Sequence, residues 1–124
     1  MSLSKLSQRQ LDEFSHIIEY LRELNEDMPV IVEGIRDART LRKLGIDGEI
    51  IVLNRGMSLV DFASFISSDH DEVILLLDWD KKGEELTKRL ESLFMLLGIN
   101  THSEIRRRLR KLLRGICRVE DLNP

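Results

Sequence analysis

Two kinds of hydrophobic pattern alternate along the chain. Apolar residues three or four positions apart over residues 3–25 predict an amphipathic helix. Short, unbroken apolar runs then recur: PVIVEG at 29–34, EIIVLN at 49–54 and VILLL at 73–77. Runs of this kind are typical of strands that are buried on both faces of a sheet. The pattern therefore predicts strands that alternate with helices.

The intervals between these runs carry helical spacing and helix boundary signals. Ser58 and Asp61 form a capping pair at the start of one interval, and glycine follows the end of others. The stretch ICRVEDL at 116–122 suggests a last short strand or an irregular tail. The predicted helices are 36–44, 58–66, 81–97 and 103–113, with a short extended piece at 99–101.

Alternating strands and helices, with strands that read as continuous apolar runs, predict an α/β fold with a mostly parallel sheet. Right-handed crossovers place helices on both faces of such a sheet. At 124 residues the chain is long enough for one domain with its own core. We divide it into an N-terminal helix at 1–28 and an α/β domain at 29–124, with a basic helix at about 103–114.

Composition limits the class of protein. The N-terminus has no apolar signal segment, and no later run is long enough to cross a bilayer, so we expect a cytoplasmic protein with no membrane partner. A single cysteine, Cys117, excludes an intramolecular disulfide and a clustered-thiolate zinc site. Because it lies in an apolar stretch, we expect a buried, inert thiol.

Positive charge is concentrated near the C-terminus. The whole chain carries −3, but residues 101–124 hold seven Lys and Arg against three Asp and Glu, a local charge of +4. In the predicted helix, Arg106, Arg107 and Arg110 are expected to face outward, where they could contact a nucleic-acid backbone. The alternative is an ordinary solvated helix face.

Acidic residues follow two of the predicted strands. Glu33 ends the first, and Asp78 and Asp80 follow the third within DWDKKG. Because the carboxyl ends of parallel strands share one edge of a sheet, these three carboxylates should converge there. Oxygen ligands alone favour a hard divalent cation such as Mg²⁺ or Mn²⁺. The alternative is that the acids cap the helices that follow them.

Basic residues flank the same strand ends. Any of them could contact a phosphate near the metal, although surface solubility explains each one equally well. Asp37, at the start of a predicted helix, could serve the helix dipole or act as an outer metal ligand. Trp79 should point away from the two aspartates and pack beneath them. The flanking cations are Arg36, Arg55, Lys81 and Lys82.

VEG at 32–34 together with DWDKKG at 78–83 resembles the Toprim domain, the catalytic module of topoisomerases, bacterial primases and the nuclease that matures 5S ribosomal RNA. The family carries Glu-Gly after its first strand and Asp-x-Asp-x-x-Gly after a later one. Here Glu33 and Gly34 match the first motif, and Asp78, Asp80 and Gly83 match the second. The resemblance spans about residues 29–115. More narrowly, the chain looks like the small stand-alone Toprim proteins of prokaryotes, which are primase-like or similar to that nuclease.

The resemblance implies a Rossmann-like Toprim fold and phosphoryl transfer on nucleic acid with one or two Mg²⁺ ions. Asp78 and Asp80 would bind metal, and Glu33 would bind metal or act as general acid and base. The family often has Lys after Glu-Gly, where this chain has Ile35 followed by Arg36. The only tyrosine, Tyr20, lies on the N-terminal helix, so we expect a packing role rather than a topoisomerase nucleophile.

These features together predict a metal-dependent nuclease in RNA or DNA processing. A noncatalytic module that binds nucleic acid or protein, and a nucleotide phosphotransferase, are the alternatives. The expected partner is RNA or DNA, with a partner protein or a homodimer as a further possibility.

Overall fold

The computed structural model describes residues 3–53 and 56–122, and within them strands alternate with helices. A 3₁₀ helix at Leu3–Lys5 precedes the N-terminal α-helix, and a second 3₁₀ helix at Val119–Leu122, the C-terminal turn, follows the last one. Between them lie α1 (Gln8–Asn25), β1 (Val30–Val32), α2 (Ile35–Lys43), β2 (Ile50–Val52), α3 (Leu59–Ser67), β3 (Glu72–Leu75), α4 (Lys81–Leu96), β4 (Asn100–His102) and α5 (Glu104–Leu112).

The strands form one four-stranded sheet in the order β2-β1-β3-β4, and every neighbouring pair is parallel. Ile31 pairs with Ile51 on one side and with Leu75 on the other, so β1 and β3 occupy the centre. The predicted α/β class with a parallel sheet is confirmed. Since β1 and β3 are adjacent, the residues that follow them are brought together at one edge.

The side chains of successive residues in β1 and β3 point alternately into two hydrophobic cores, one on each face of the sheet. Val30, Val32 and Ile74 pack with α1, α2 and α5 on one face of the sheet. Ile31 and Leu75 pack with α3 and α4 on the other. This alternation explains the unbroken apolar runs, because both faces of the sheet are covered by helices.

Helix boundaries agree with the capping signals in the sequence. The Ser58 hydroxyl accepts a hydrogen bond from the Asp61 amide at the start of α3, 3.1 Å away. Gly45 and Gly98 follow α2 and α4 with φ of 90° and 75°, left-handed values that favour glycine. The described helices and strands therefore begin and end close to their predicted positions.

The C-terminal segment differs from the prediction. Residues 119–122 form neither a strand nor an irregular tail, because Val119 and Leu122 are buried against α2 in a 3₁₀ turn. The prediction of a buried Cys117 is also wrong, since this thiol is exposed. Within the described ranges, no helix combines the length and apolar character needed to cross a membrane.

Candidate functional site

Glu33 and Asp78 meet at the carboxyl edge of the sheet. Glu33 directly follows β1, and Asp78 lies three residues beyond β3, the neighbouring strand. The Glu33 Oε1 atom accepts a hydrogen bond from the Asp78 amide at 3.2 Å. Both side chains are buried, with 6% and 8% of their surface exposed. The topology thus places two acidic residues side by side in a partly dehydrated position.

Asp80 has a structural role in addition to any chemical one. It is the N-cap of α4, and its Oδ1 accepts a hydrogen bond from the Gly83 amide at 2.8 Å. The helix-capping alternative therefore describes Asp80 correctly. It does not describe Glu33, because Gly34 is the N-cap of α2 and Glu33 contacts the Asp78 backbone instead.

Asp37 adds a third buried carboxylate to the same edge. Its Oδ2 accepts a hydrogen bond from the Gly34 amide at 3.1 Å, and its Oδ1 accepts one from the Glu120 amide at 3.0 Å. The first bond caps the start of α2, as the sequence suggested. The second joins α2 to the C-terminal turn, which no local pattern predicts.

The C-terminal turn also contacts the second acidic motif. The Val119 amide donates a hydrogen bond to Asp78 Oδ1 at 2.8 Å, and the Trp79 amide donates one to the Cys117 carbonyl at 2.7 Å. Two successive amides of the turn, those of Val119 and Glu120, therefore donate to carboxylates from two different parts of the chain, Asp78 after β3 and Asp37 on α2. The turn forms one wall of the site.

Burial and mutual repulsion make these acids hold their protons more strongly. Burial raises the pKa of Glu33, and the nearby charge of Asp78 raises it further. Burial raises the pKa of Asp78 too, against the opposing effect of the Val119 amide that donates to it. Burial and the charge of Asp78 raise the pKa of Asp37 from its ordinary 3.8 to about 6. The cluster carries negative charge that a cation would stabilise.

These acids line a cavity of about 750 Å³ at the sheet edge. Three cations from separate parts of the chain frame it: Arg36 on α2, Lys82 on α4 and Arg118 before the C-terminal turn. Arg118 also pairs with Glu120, 3.4 Å away. The remaining lining is the motif residues Glu33, Gly34, Asp78 and Asp80, together with Ile35, Asp37, Val52 and Leu53.

The described carboxylate oxygens are the type of ligand that Mg²⁺ prefers, but they do not surround a preformed metal position. Among the described residues, no group of three or more His, Cys, Asp or Glu is already arranged to hold a metal ion. The described hydrogen bonds use one oxygen each of Glu33, Asp78 and Asp80, which leaves a second oxygen on each. Mg²⁺ commonly binds one or two carboxylates and keeps several waters, so it does not require a cage of three acids.

Gly83 is required by space. A Cβ atom at this position would collide with the Asp78 carbonyl oxygen and lie 3.0 Å from Glu33 Oε1. Gly34 is different, because a Cβ there would meet nothing closer than Asp37 Oδ2 at 3.8 Å. The glycine of the second motif therefore lets α4 approach the strand end closely, whereas the glycine of the first motif is not needed for space.

Arg106 does not face outward, and that prediction is wrong. The residue is 4% exposed. Its Nε donates to the Leu77 carbonyl at 2.9 Å, and its Nη2 donates to the Asp78 carbonyl at 2.6 Å. Its own carbonyl accepts from Trp79 Nε1 at 2.9 Å, and Trp79 is buried beneath the motif as expected. The physical reason is that Arg106 satisfies backbone acceptors at the strand end, which would otherwise be buried without partners.

The other predicted phosphate contacts are distributed differently. Arg110 pairs with Glu84 at 2.7 Å, and Arg107 is exposed on α5. Lys81, the first residue of α4, is exposed but does not line the cavity that contains Lys82. Arg55 lies outside the described residues.

Sequence reasoning missed Arg118 and Glu120 as members of this site. Both follow the predicted basic helix in a stretch without a motif, and only the packing of the C-terminal turn on α2 brings them to the sheet edge. Asp37 was recognised as a helix-start residue or an outer metal ligand, but its contact with the C-terminal turn was not predicted. The one signal in the sequence that Asp37 belongs to this site is its position four residues after Glu33, across the turn from a predicted strand to a predicted helix.

Residues 29–113 match the Toprim domain family. The chain belongs to the Toprim family. The match begins at β1 and ends just after α5, so it includes both acidic motifs. The resemblance based on VEG and DWDKKG is confirmed.

This Toprim protein has relatives among archaea. It is 43% identical to a UPF0292 protein of Pyrococcus horikoshii over 110 residues, which cover 88% of this chain and 80% of the relative. It is 45% identical to a UPF0292 protein of Thermococcus kodakarensis with the same coverage. A solved structure of an Aquifex aeolicus protein superposes with a TM-score of 0.76 at 27% identity, covering 86% of this chain and 95% of that one.

Membership of the Toprim family supports a metal-dependent function related to nucleic acid, of a primase-like kind. Toprim domains typically bind Mg²⁺. The UPF0292 names state no activity.

Proposed function

We propose that this Toprim protein performs Mg²⁺-dependent or Mn²⁺-dependent phosphodiester chemistry on nucleic acid, as a nuclease in RNA or DNA processing. The observation that carries the proposal is the cavity at the carboxyl edge, which is lined by two buried acids that follow β1 and β3, a third on α2, and three cations. A cavity that presents both signs of charge suits a phosphate group held together with a metal ion.

Each part of the cavity has a role in this proposal. Glu33, Asp78 and Asp80 hold the ion, which when bound neutralises charge on phosphate oxygens and lowers the pKa of a bound water. Arg36, Lys82 and Arg118 orient the phosphate. The raised pKa of Glu33 brings its proton exchange closer to neutral pH, which suits a general acid or base.

Two other functions have some support. A noncatalytic metal-dependent binding module is favoured by the amides of Val119 and Gly83, which already stabilise Asp78 and Asp80. A nucleotide phosphotransferase is favoured by the cavity, because 750 Å³ lies within the roughly 300–1,000 Å³ of small-molecule sites.

The test is cleavage of labelled structured RNA, single-stranded DNA and duplex DNA with Mg²⁺, Mn²⁺ or EDTA. Wild type is compared with Glu33→Gln and with Asp78→Asn/Asp80→Asn. Asn is as good an N-cap as Asp, so the second variant removes charge while it keeps the start of α4. We expect metal-dependent cleavage that both variants lose.

Glu85→Gln is the matched control, since Glu85 is exposed on α4 and lies outside the cavity. It should cut like wild type. Metal binding without cleavage of any substrate would favour the binding module, and hydrolysis of free nucleotides alone would favour the phosphotransferase. Cytoplasmic location and a partner protein or homodimer stay predictions.

A further inference from the structure

A second groove lies between α1 and α5, away from the acidic cavity. It has a volume of about 860 Å³ and shares no lining residue with that cavity. Four cations line it: Arg9 on α1, Arg108 and Lys111 on α5, and Arg114 in the turn that follows. All four residues are exposed to solvent.

The charge in this groove is poorly compensated. Glu13 is the single acidic residue in the described lining, so the groove has an excess of three positive charges in a chain of net charge −3. The pair formed by Arg9 and Glu13 is long, at 3.8 Å, and its two side chains are 89% and 52% exposed. Arg108, Lys111 and Arg114 form no ion pair with any other described residue.

The two faces of α5 explain why the groove is separate. Arg106 and Arg110, four residues apart, both contact Glu84 on α4. Arg108 lies about 200° around the helix from Arg106, at 3.6 residues per turn, and faces α1 instead. It sits over the Tyr20 ring, 5.9 Å from the centroid. One face of α5 therefore supports the acidic motif while the other lines the groove.

We propose that this α1–α5 groove binds the phosphate backbone of a nucleic acid, at a site distinct from the acidic cavity. Several separated cations in an open groove match a chain of repeated negative charges. The apolar part of the floor, Ile17 and Leu112, is buried or half-buried, and the large exposed apolar side chains lie on other elements. The groove thus lacks the apolar anchors of a typical protein interface.

The choice of nucleic acid as the polyanion rests on the proposed function, but groove binding does not require the metal site. The test therefore measures binding in the presence of EDTA and does not depend on catalysis. Binding of a labelled DNA duplex and of its single strand is followed by fluorescence anisotropy across a salt series. Four phosphate contacts predict slopes of log K against log salt of about −3.6 for the duplex and about −2.8 for the single strand.

The decisive variant is Arg108→Gln/Lys111→Gln. Removing two contacts should reduce the slope by about 1.4 to 1.8 and weaken binding roughly 20- to 60-fold at 0.1 M salt. The matched control is Lys88→Gln/Arg89→Gln, which removes the same charge from exposed positions of α4 outside the groove. The control should bind nearly as wild type.

Equal losses in the groove variant and the α4 control, or no loss in either, would overturn the proposal. If poly-glutamate binds wild type as tightly as DNA and loses the same affinity in the groove variant, the groove is a site for acidic protein instead. Thermal unfolding of both variants should match wild type, because all four substituted residues are exposed. A nuclease assay that fails while groove binding persists would reject only the proposed function.

Discussion

The acidic cavity and the α1–α5 groove hold charge in opposite ways. Around the cavity, Glu33, Asp37 and Asp78 are buried, and backbone amides donate to each of them. Around the groove, Arg108 and Lys111 are exposed and have no ion pair within the described chain. One region confines negative charge in a fixed arrangement, and the other presents positive charge on exposed side chains.

The difference indicates what each region is suited to bind. A small divalent cation binds oxygens at well-defined distances, and burial together with amide donors holds carboxylates in fixed positions. An extended polyanion needs only several cations along its length, and exposed Lys and Arg side chains adapt to it. Substitutions near the cavity should therefore change the stability of the fold. Substitutions in the groove should change binding and leave stability nearly unchanged.

Arg106→Ala should have the largest effect on stability. The change leaves the Leu77 and Asp78 carbonyls without their buried donor, and an unsatisfied buried acceptor costs about 1 to 3 kcal/mol for each carbonyl. Arg107→Ala, at the exposed neighbouring position, should stay within about 0.5 kcal/mol of wild type. Urea unfolding measures both, and equal values for the two variants would contradict the fixed arrangement near the cavity.

Gly83→Ala should follow. Its Cβ would overlap the Asp78 carbonyl, and overpacking of this kind costs about 3 kcal/mol at the upper end of its usual range. Gly34→Ala offers a matched comparison, because its Cβ has room and its φ of −143° is open to any residue. Urea midpoints should separate the two glycines clearly. Equal tolerance would mean that α4 can move away from the strand end.

Mg²⁺ should stabilise the folded protein at constant ionic strength. A ligand at 100 times its Kd adds about 2.7 kcal/mol to the free energy of unfolding. Asp78→Asn/Asp80→Asn should lose that gain, while Arg108→Gln/Lys111→Gln should keep it. Thermal unfolding with Mg²⁺, compared with NaCl of matched ionic strength, gives the measurement. A gain retained by the aspartate variant would place the ion elsewhere.

The smallest expected effect is a dependence of stability on pH. The pKa of Asp37 rises from 3.8 to about 6 on folding, so the folded state keeps a proton that the unfolded state has already lost. The resulting stabilisation is complete below about pH 3.8 and is lost as pH rises to about 6. We expect a fall on the order of 1 kcal/mol after allowing for partial hydration.

Asp37→Asn should flatten this decline, whereas Asp69→Asn, at an exposed position, should leave it unchanged. Urea midpoints in EDTA between about pH 4 and pH 7 test it. A rise in stability over that interval, or the same slope in all three proteins, would show that folding does not raise the pKa of Asp37.

The sequence predicted the features that depend on local pattern. The runs around Ile31 and Val73 predicted parallel strands buried on both faces, and Ser58 predicted the start of α3. The positions of Glu33 and Asp78 followed from the rule that parallel strands share a carboxyl edge. Each of these inferences needs only neighbouring residues and one general rule.

The remainder depends on contacts between distant residues. The amide of Glu120 donates to Asp37 across 83 positions, and no periodicity reports such a contact. Arg106 carries the same charge as Arg107 in the sequence, yet it turns inward because unsatisfied carbonyls lie next to it in the folded chain. Cys117 was expected inside because of its apolar neighbours, but the turn that buries Val119 leaves this thiol outside.

The C-terminal turn affects how the protein should be divided for experiments. The Toprim match stops at residue 113, yet the amides that donate to Asp78 and Asp37 belong to Val119 and Glu120. A fragment cut at the family boundary would keep every motif residue in its sequence while losing one wall of the site. Expressed fragments and fusion proteins should therefore keep the chain intact through residue 122.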